Sequence, residues 1–284
     1  MSSGTSFIFP YVTTCMVKID VCFIKDQEGF WSKANLPDFH SPEDDGSELQ
    51  FLQDYLSAYT PPAGVVAIRV TTEDQIGYIR IHPTWGMVPK FVGDEVVWPT
   101  NEEVGGVWEV PHVLPDGHIV PLLYVEPCEK FQMGDDESPA SDRRVVKVEA
   151  QFLAKTPTTV EQWNWYAVAT KKPPKATTNQ DGVSILDHPV TEVNFWDSLE
   201  WAKWAGLGIP KEEEWERAAR GNDGRKYPWG NEPPTTELCH FSTPEQEQTG
   251  TASVFDHPKG MGPYGHLDLS GNTWEWCDSP WKRE

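Results

Sequence analysis

Residues 188–221 read HPVTEVNFWDSLEWAKWAGLGIPKEEEWERAARG, and the starts and stops within them set the local structure. Asn194 suits an N-cap, because its side-chain oxygen can take N–H groups that a first helical turn leaves unpaired, and Asp197 follows three residues on. The predicted helix carries Trp201, Trp204 and Ala205 on one face and stops at Gly206, where a left-handed backbone costs no Cβ clash. A further helix is predicted to open with Pro210, continue through Glu212, Glu213 and Glu214, and close with Arg217, Arg220 and Gly221. Acids at its start and bases at its end both suit the helix dipole. Trp215, Ala218 and Ala219 form its apolar face, with Trp215 set toward the Trp201/Trp204 stripe. Upstream, Thr159-x-x-Gln162 reads as a capping box for a helix to about Ala169, whose buried stripe is Trp163, Tyr166 and Ala167.

The chain around these helices has 284 residues, enough for about two domains. Its 12% aromatic content can supply buried cores. With 23 basic against 44 acidic residues the net charge is −21, so a phosphate-tracking or membrane-surface role is disfavoured and cation binding is not. No apolar run approaches the ~18 residues of a membrane span. Residues 1–16 lack the basic start of a signal peptide. The five cysteines (Cys15, Cys22, Cys128, Cys239, Cys277) are odd in number and scattered, which reads as free thiols of a reducing cytoplasm.

Four of the 14 tryptophans precede residue 160 and ten follow it, which suggests two domains of different kinds, divided as 1–122 and 123–284. The first reads as a small β-rich domain. Residues 17–24, 64–70, 76–82, 95–98 and 107–110 are strand candidates, and Glu48–Tyr59 has helical spacing. Asn35–Glu48 reads as a solvated loop, and Asp116-Gly117 as a type I′ hairpin turn. His40, His82, His112 and His118 do not fall at metal-ligand spacing.

Several ordered motifs in the second part resemble the formylglycine-generating enzyme, or sulfatase-modifying factor, family. These are Phe131-Gln132-Met133-Gly134, the stretch from Phe152 to Gln162, the 188–221 run itself, Tyr227-Pro228-Trp229-Gly230, and Gly265 through Trp276 (GHLDLSGNTWEW). The resemblance covers about residues 123–281 and implies an α+β, C-type-lectin-like fold. In that family, copper held by two cysteines and molecular oxygen convert a substrate cysteine to formylglycine. The pair lies downstream of the Trp-Glu-Trp stretch, near an Arg-Gly-Gly-Ser segment. Neither the segment nor a cysteine pair follows Trp276 in this sequence, so the fold is expected to be C-terminally shortened, with copper not expected in this chain. Cys277 is expected to be structural. The shortening would leave a sheet edge that another chain could complete.

By resemblance, calcium is expected at Asp268, Gly271, Thr273 and Glu275, an oxygen donor set suited to a hard cation. A second family calcium site is expected to be lost, because Cys239 and His240 stand where it would begin. Three functions follow from the resemblance. The favoured one is a non-catalytic module binding a protein or small molecule. The second is a fragment of an active cysteine-oxidising, sulfatase-maturing enzyme. The third, on the same fold, is a variable binding protein of a diversity-generating retroelement. A regulatory module in which residues 1–122 dock a partner carries less weight, and so do the iron-dependent ergothioneine-building relatives, which need a helical domain.

Overall fold

A computed structural model describes the backbone of residues 18–25, 31–34, 65–71, 76–82, 86–88, 90–92 and 95–97, and then residues 98–134, 143–243 and 250–280. Cys15, His40, the predicted helix Glu48–Tyr59 and the loop Asn35–Glu48 lie outside the described residues. Contacts divide the chain into one unit over Phe7–His112 and another over Val113–Glu284.

In the first unit, strands β1 (Lys18–Lys25), β2 (Trp31–Ala34), β3 (Val65–Thr71), β4 (Ile76–His82) and β5 (Gly86–Val88) form an antiparallel sheet in the order β2-β1-β3-β4-β5. The pairing of β3 with β4 is continuous from Ala67↔Arg80 to Thr71↔Ile76, as a short connection requires. Strands β6 (Lys90–Val92) and β7 (Glu95–Val97) pair as a separate hairpin, and β8 (Glu109–Val113) follows.

The second unit mixes small sheets with helices, an α+β arrangement. Strand β9 (Ile119–Val125) crosses the expected division at residue 122 and pairs antiparallel with β12 (Gln151–Ala154). The turn before β9 differs from the two-residue form expected at Asp116-Gly117. Leu114 N–H donates to the His118 carbonyl at 2.8 Å and Gly117 N–H to the Leu114 carbonyl at 2.9 Å, so three residues form the loop. Gly117 takes a positive φ of 93° and Asp116 does not, which is the geometry of a turn closed by a bulge.

Strands β10 (Cys128–Met133) and β11 (Arg144–Val148) form a second ribbon. Three residues of β10 span two of β11 between Cys128↔Val148 and Phe131↔Val146. This bulge turns Glu129 and Lys130 outward together and keeps Cys128, Phe131 and Met133 on one buried face with Val148.

Three helices follow: α1 (Val160–Thr170), α2 (Phe195–Ala205) and α3 (Glu212–Arg220). The predicted caps form. Thr159 and Gln162 exchange both capping-box bonds at 3.2 Å. Asn194 accepts from Trp196 N–H at 2.9 Å and Asp197 N–H at 3.0 Å, and Gly206 ends α2 at φ 71°. The start of α3 differs from expectation. The helix begins at Glu212 rather than Pro210, because the Glu214 carboxylate reaches back to Lys211 N–H at 2.8 Å and fixes the first turn there.

The buried residues of α3 are Arg217, Ala218 and Ala219, while Trp215 is half-buried. Arg217, read from sequence as a dipole partner, is instead 1% exposed. Its Nη2 donates to Glu126 Oε1 at 3.3 Å, its Nη1 donates to the Tyr264 hydroxyl, and its guanidinium carbon lies 5.1 Å from the Tyr264 ring centroid. Burial pushes the Tyr264 hydroxyl up to about 12, against the pull of Arg217. Residues 221–280 hold one short 3-10 turn, Pro258–Gly260, among the described residues, so loops make up most of this stretch. Among the described residues no helix is long and apolar enough to cross a membrane.

Two stability predictions follow from the core. Arg217→Ala removes one partner of a buried ion pair, a change that costs about 3–5 kcal/mol. Glu126 is partly exposed, so solvent can replace it and Glu126→Gln should cost less. Urea melts of both variants check the order, and equal midpoints would refute it.

His266 is fully buried, its ring has no partner of good hydrogen-bond geometry among the described residues, and burial drives its pKa down to about 4 against a weak upward pull from a bond to the Leu153 backbone. A folded pKa below the unfolded ~6.5 means that the unfolded state binds more protons, so His266 makes the protein lose stability as pH falls from about 6.5 to 4. His266→Leu should raise stability by about 1–3 kcal/mol at neutral pH and remove this part of the acid dependence. Parallel melts at pH 7 and 4.5 test it, and a variant as acid-sensitive as the parent would refute it.

Candidate functional site

The segment from Tyr264 to Ser279 gathers the sequence-predicted site residues. It has turns and bends but no helix or strand, and is held by bonds to distant segments. Leu267 N–H donates to the Lys155 carbonyl at 2.9 Å, Asn272 N–H to the His240 carbonyl at 2.8 Å, and Asp278 N–H to the Pro210 carbonyl at 2.9 Å. Glu212 N–H, one of the unpaired donors of the first α3 turn, donates to Ser279 Oγ at 3.0 Å.

Asp268 is buried and takes a positive φ of 60°, and Gly271 and Asn272 follow at 84° and 57°. At Gly271 a Cβ would stand 2.4 Å from the His240 carbonyl oxygen, so only glycine allows that approach. The Gly271 carbonyl accepts from Thr273 N–H at 2.7 Å. Asn272 was not among the predicted site residues, yet it fixes the loop. Its amide donates to Asp268 Oδ2 at 2.7 Å and to the Ala252 carbonyl at 3.1 Å, and accepts from Ala252 N–H at 3.0 Å. The signal in the sequence was an asparagine directly after a glycine, a pair prone to left-handed backbone.

Burial pushes the Asp268 carboxyl up to about 6, with the Asp256 charge adding and the Asn272 bond opposing. Desolvation raises the Glu275 carboxyl too, with the Asp268 charge adding and the Trp215 bond opposing, and the effect is tempered because the residue is exposed. Glu275 Oε1 accepts from the Trp215 indole N–H at 3.1 Å. Neither carboxylate makes an ion pair with Lys or Arg among the described residues. The Asp268 charge thus opposes ionisation of Glu275, although Glu275 itself stands exposed to solvent. No group of three or more His, Cys, Asp or Glu able to hold a metal stands among the described residues. The loop carries two carboxylates and the Gly271 and Thr273 carbonyls, with Asp268 bonded to Asn272 and Glu275 to Trp215.

Around the loop start, Cys239 is buried, and burial with the Asp268 charge raises its thiol pKa. His240 Nε2 lies 3.1 Å from the Gly250 carbonyl. Burial and then the charges of Glu275, Glu212, Glu213 and Glu214 push the Cys277 thiol up to about 12. Its thiolate is scarce at neutral pH, and a thiol that is not ionised is a poor nucleophile and a poor metal ligand. Cys128, Cys239 and Cys277 are all free thiols.

Beside the loop a groove of about 170 Å³ opens between α2, α3 and the Trp274–Trp276 segment. Trp163, Trp201, Trp215, Trp274 and Trp276 line it, and Glu275 is the charged residue among the described lining. Trp276 Nε1 donates to the Val193 carbonyl at 3.1 Å and its ring meets Phe195 edge-on at 6.0 Å, which fixes that wall. Trp274 is fully exposed at the rim.

Comparison with known proteins places the sequence in a family. Residues 123–284 match the model of the sulfatase-modifying factor enzyme 1-like domain. The chain is 42% identical over 118 residues to a formylglycine-generating enzyme of Thermomonospora curvata, covering 36% of this chain and 38% of the relative. It is 38% identical over 105 residues to the inactive C-alpha-formylglycine-generating enzyme 2 of Bos taurus, covering 34% of this chain and 35% of that protein. A hercynine oxygenase of Mycolicibacterium smegmatis is 34% identical over 98 residues, or 33% of this chain and 22% of the relative. The matches thus span well under half the length of each relative. With more than half of its residues matched by the family model, the chain belongs to the sulfatase-modifying factor, or formylglycine-generating enzyme, family.

Proposed function

We propose that this chain is a calcium-stabilised, non-catalytic binding module of its family. The observation that carries the reading is the state of the thiols. Burial and then the charges of four glutamates push up the thiol of the cysteine beside the Trp-Glu-Trp stretch, and Cys128, Cys239 and Cys277 form no disulfide with one another. Copper chemistry on sulfur needs thiolates brought together. The similarity to an inactive relative supports the same reading, and the similarity to active formylglycine-generating enzymes favours the second one, a fragment of a cysteine-oxidising enzyme. The finer fold is proposed to be C-type-lectin-like, on the small sheets and long pinned loops of the second unit. The shared fold keeps a variable binding protein of a diversity-generating retroelement as a form of the binding reading. A cytoplasmic location fits the free thiols.

Incubation of the 284-residue chain with copper, oxygen and a Cys-x-Pro-x-Arg peptide should yield no aldehyde by mass spectrometry. Aldehyde that scales with protein concentration would overturn the binding reading in favour of the enzyme.

In the calcium reading, Asp268 and Glu275 supply charge and the Gly271 and Thr273 carbonyls complete the protein's share of the oxygen set. Bound calcium would cancel the repulsion between the two carboxylates. A ligand that binds only the folded state stabilises by RT ln(1 + [L]/Kd), so the thermal midpoint of chelator-stripped protein should rise with the logarithm of calcium concentration. The double variant Asp268→Ala, Glu275→Ala should lose that slope. A flat midpoint in the parent at about 1–10 mM calcium, or an equal slope in the variant, would remove the site.

A further inference from the structure

The groove beside the calcium loop has a composition that selects a ligand class. Its volume, about 170 Å³, is close to that of a cavity that accepts a single benzene ring. Five tryptophans line it, and indole faces attract cations more strongly than other aromatic side chains do. Glu275 is the charged residue in the described lining. Its carboxylate accepts from Trp215 and has no Lys or Arg partner among the described residues. The neighbouring Glu212, Glu213 and Glu214 add to the negative field felt at Cys277, and the chain as a whole carries −21. An anionic guest would meet repulsion from Glu275 here. A purely apolar guest would leave the carboxylate without a counter-charge.

We propose that this groove binds an arylalkyl ammonium ion, its single ring between the tryptophans and its ammonium on Glu275. The ring replaces water on apolar walls, and the ammonium donates hydrogen bonds to the carboxylate oxygen that Trp215 does not occupy. The rim tryptophans Trp274 and Trp276 leave the entrance open to solvent on one side. The free cation can therefore enter without moving a helix. This deepens the binding-module reading by naming the ligand. It places calcium and the ammonium on one carboxylate, so each weakens the other's binding.

The test uses the full chain at pH 8 in a chelator, with phenethylammonium as probe and 2-phenylethanol as its neutral counterpart, both followed by calorimetry and ligand-observed NMR. The ammonium should bind about tenfold more tightly than the alcohol. Glu275→Gln should abolish that preference while leaving alcohol binding in place. Glu275→Asp, checked for an unchanged near-ultraviolet circular dichroism spectrum, should keep part of it. Adding calcium should weaken the ammonium and not the alcohol. Equal affinity for the two probes, no binding of either up to about 10 mM, or a preference that survives Glu275→Gln would overturn the proposal. Calcium that binds without weakening the ammonium would also overturn it, because Glu275 would not be shared. A chain that takes no calcium yet prefers the ammonium would support this site and refute the calcium reading alone. The aldehyde assay above reads a different outcome, so either proposal can fail without the other.

Discussion

The second unit depends on a guanidinium where an apolar side chain would be expected. Arg217 is buried in the last turns of α3, between Glu126 just after β9 and Tyr264 at the start of the site segment. Few large side chains could link three segments so remote in sequence, because each link needs a donor aimed in a different direction. The helix repeats the device around it. Glu216 accepts from Gly134 N–H at 2.8 Å while Arg220 donates to the Gly134 carbonyl at 2.9 Å, so the Phe-Gln-Met-Gly turn is held at both its polar groups. Gln151 of β12 donates to the Glu214 carbonyl at 2.7 Å. Ala218 packs with Val125 and Tyr264 in the core. A nine-residue helix thereby ties the paired strands β9 and β12 to a turn and a loop remote in sequence.

Such an architecture explains which features could be read from the residues. The caps of α1 and α2 were legible because a cap is a local exchange of hydrogen bonds within four residues, and Thr159, Gln162, Asn194 and Asp197 carry the needed atoms wherever the chain goes. The start of α3 was less so. Proline favours a first helical turn, but Glu214 set the boundary later by bonding Lys211, and Ser279 from the far end of the site segment supplied another acceptor. The place of Arg217 was hidden for a different reason. Its spacing is that of a dipole partner, and only the tertiary arrangement of Glu126 and Tyr264 makes it a core residue. Trp215 shows the reverse case. Its type and spacing say core, yet it lies half-buried as a groove wall with its N–H on Glu275.

The site was legible in part. The positions of Asp268, Gly271, Thr273 and Glu275 came from resemblance, and the backbone then gave one of them a reason of its own, since a Cβ at Gly271 would collide with His240. Asn272 was missed because its importance rests on Ala252, a residue twenty positions away. The groove was invisible in the sequence. Its tryptophans come from α1, α2, α3 and the site segment, and no linear pattern joins them.

Loop and groove meet at one side chain, Glu275, which belongs to the groove lining, accepts from Trp215 on α3 and feels the Asp268 charge. A positive charge arriving at either place reduces the repulsion at both, and a second one gains less than the first. Competition between two cations for one carboxylate needs no conformational change, only that no Lys or Arg among the described residues already neutralises it. In a chain with nearly twice as many acids as bases, an unpaired carboxylate at this junction is what net composition makes available and what the pinned loops preserve.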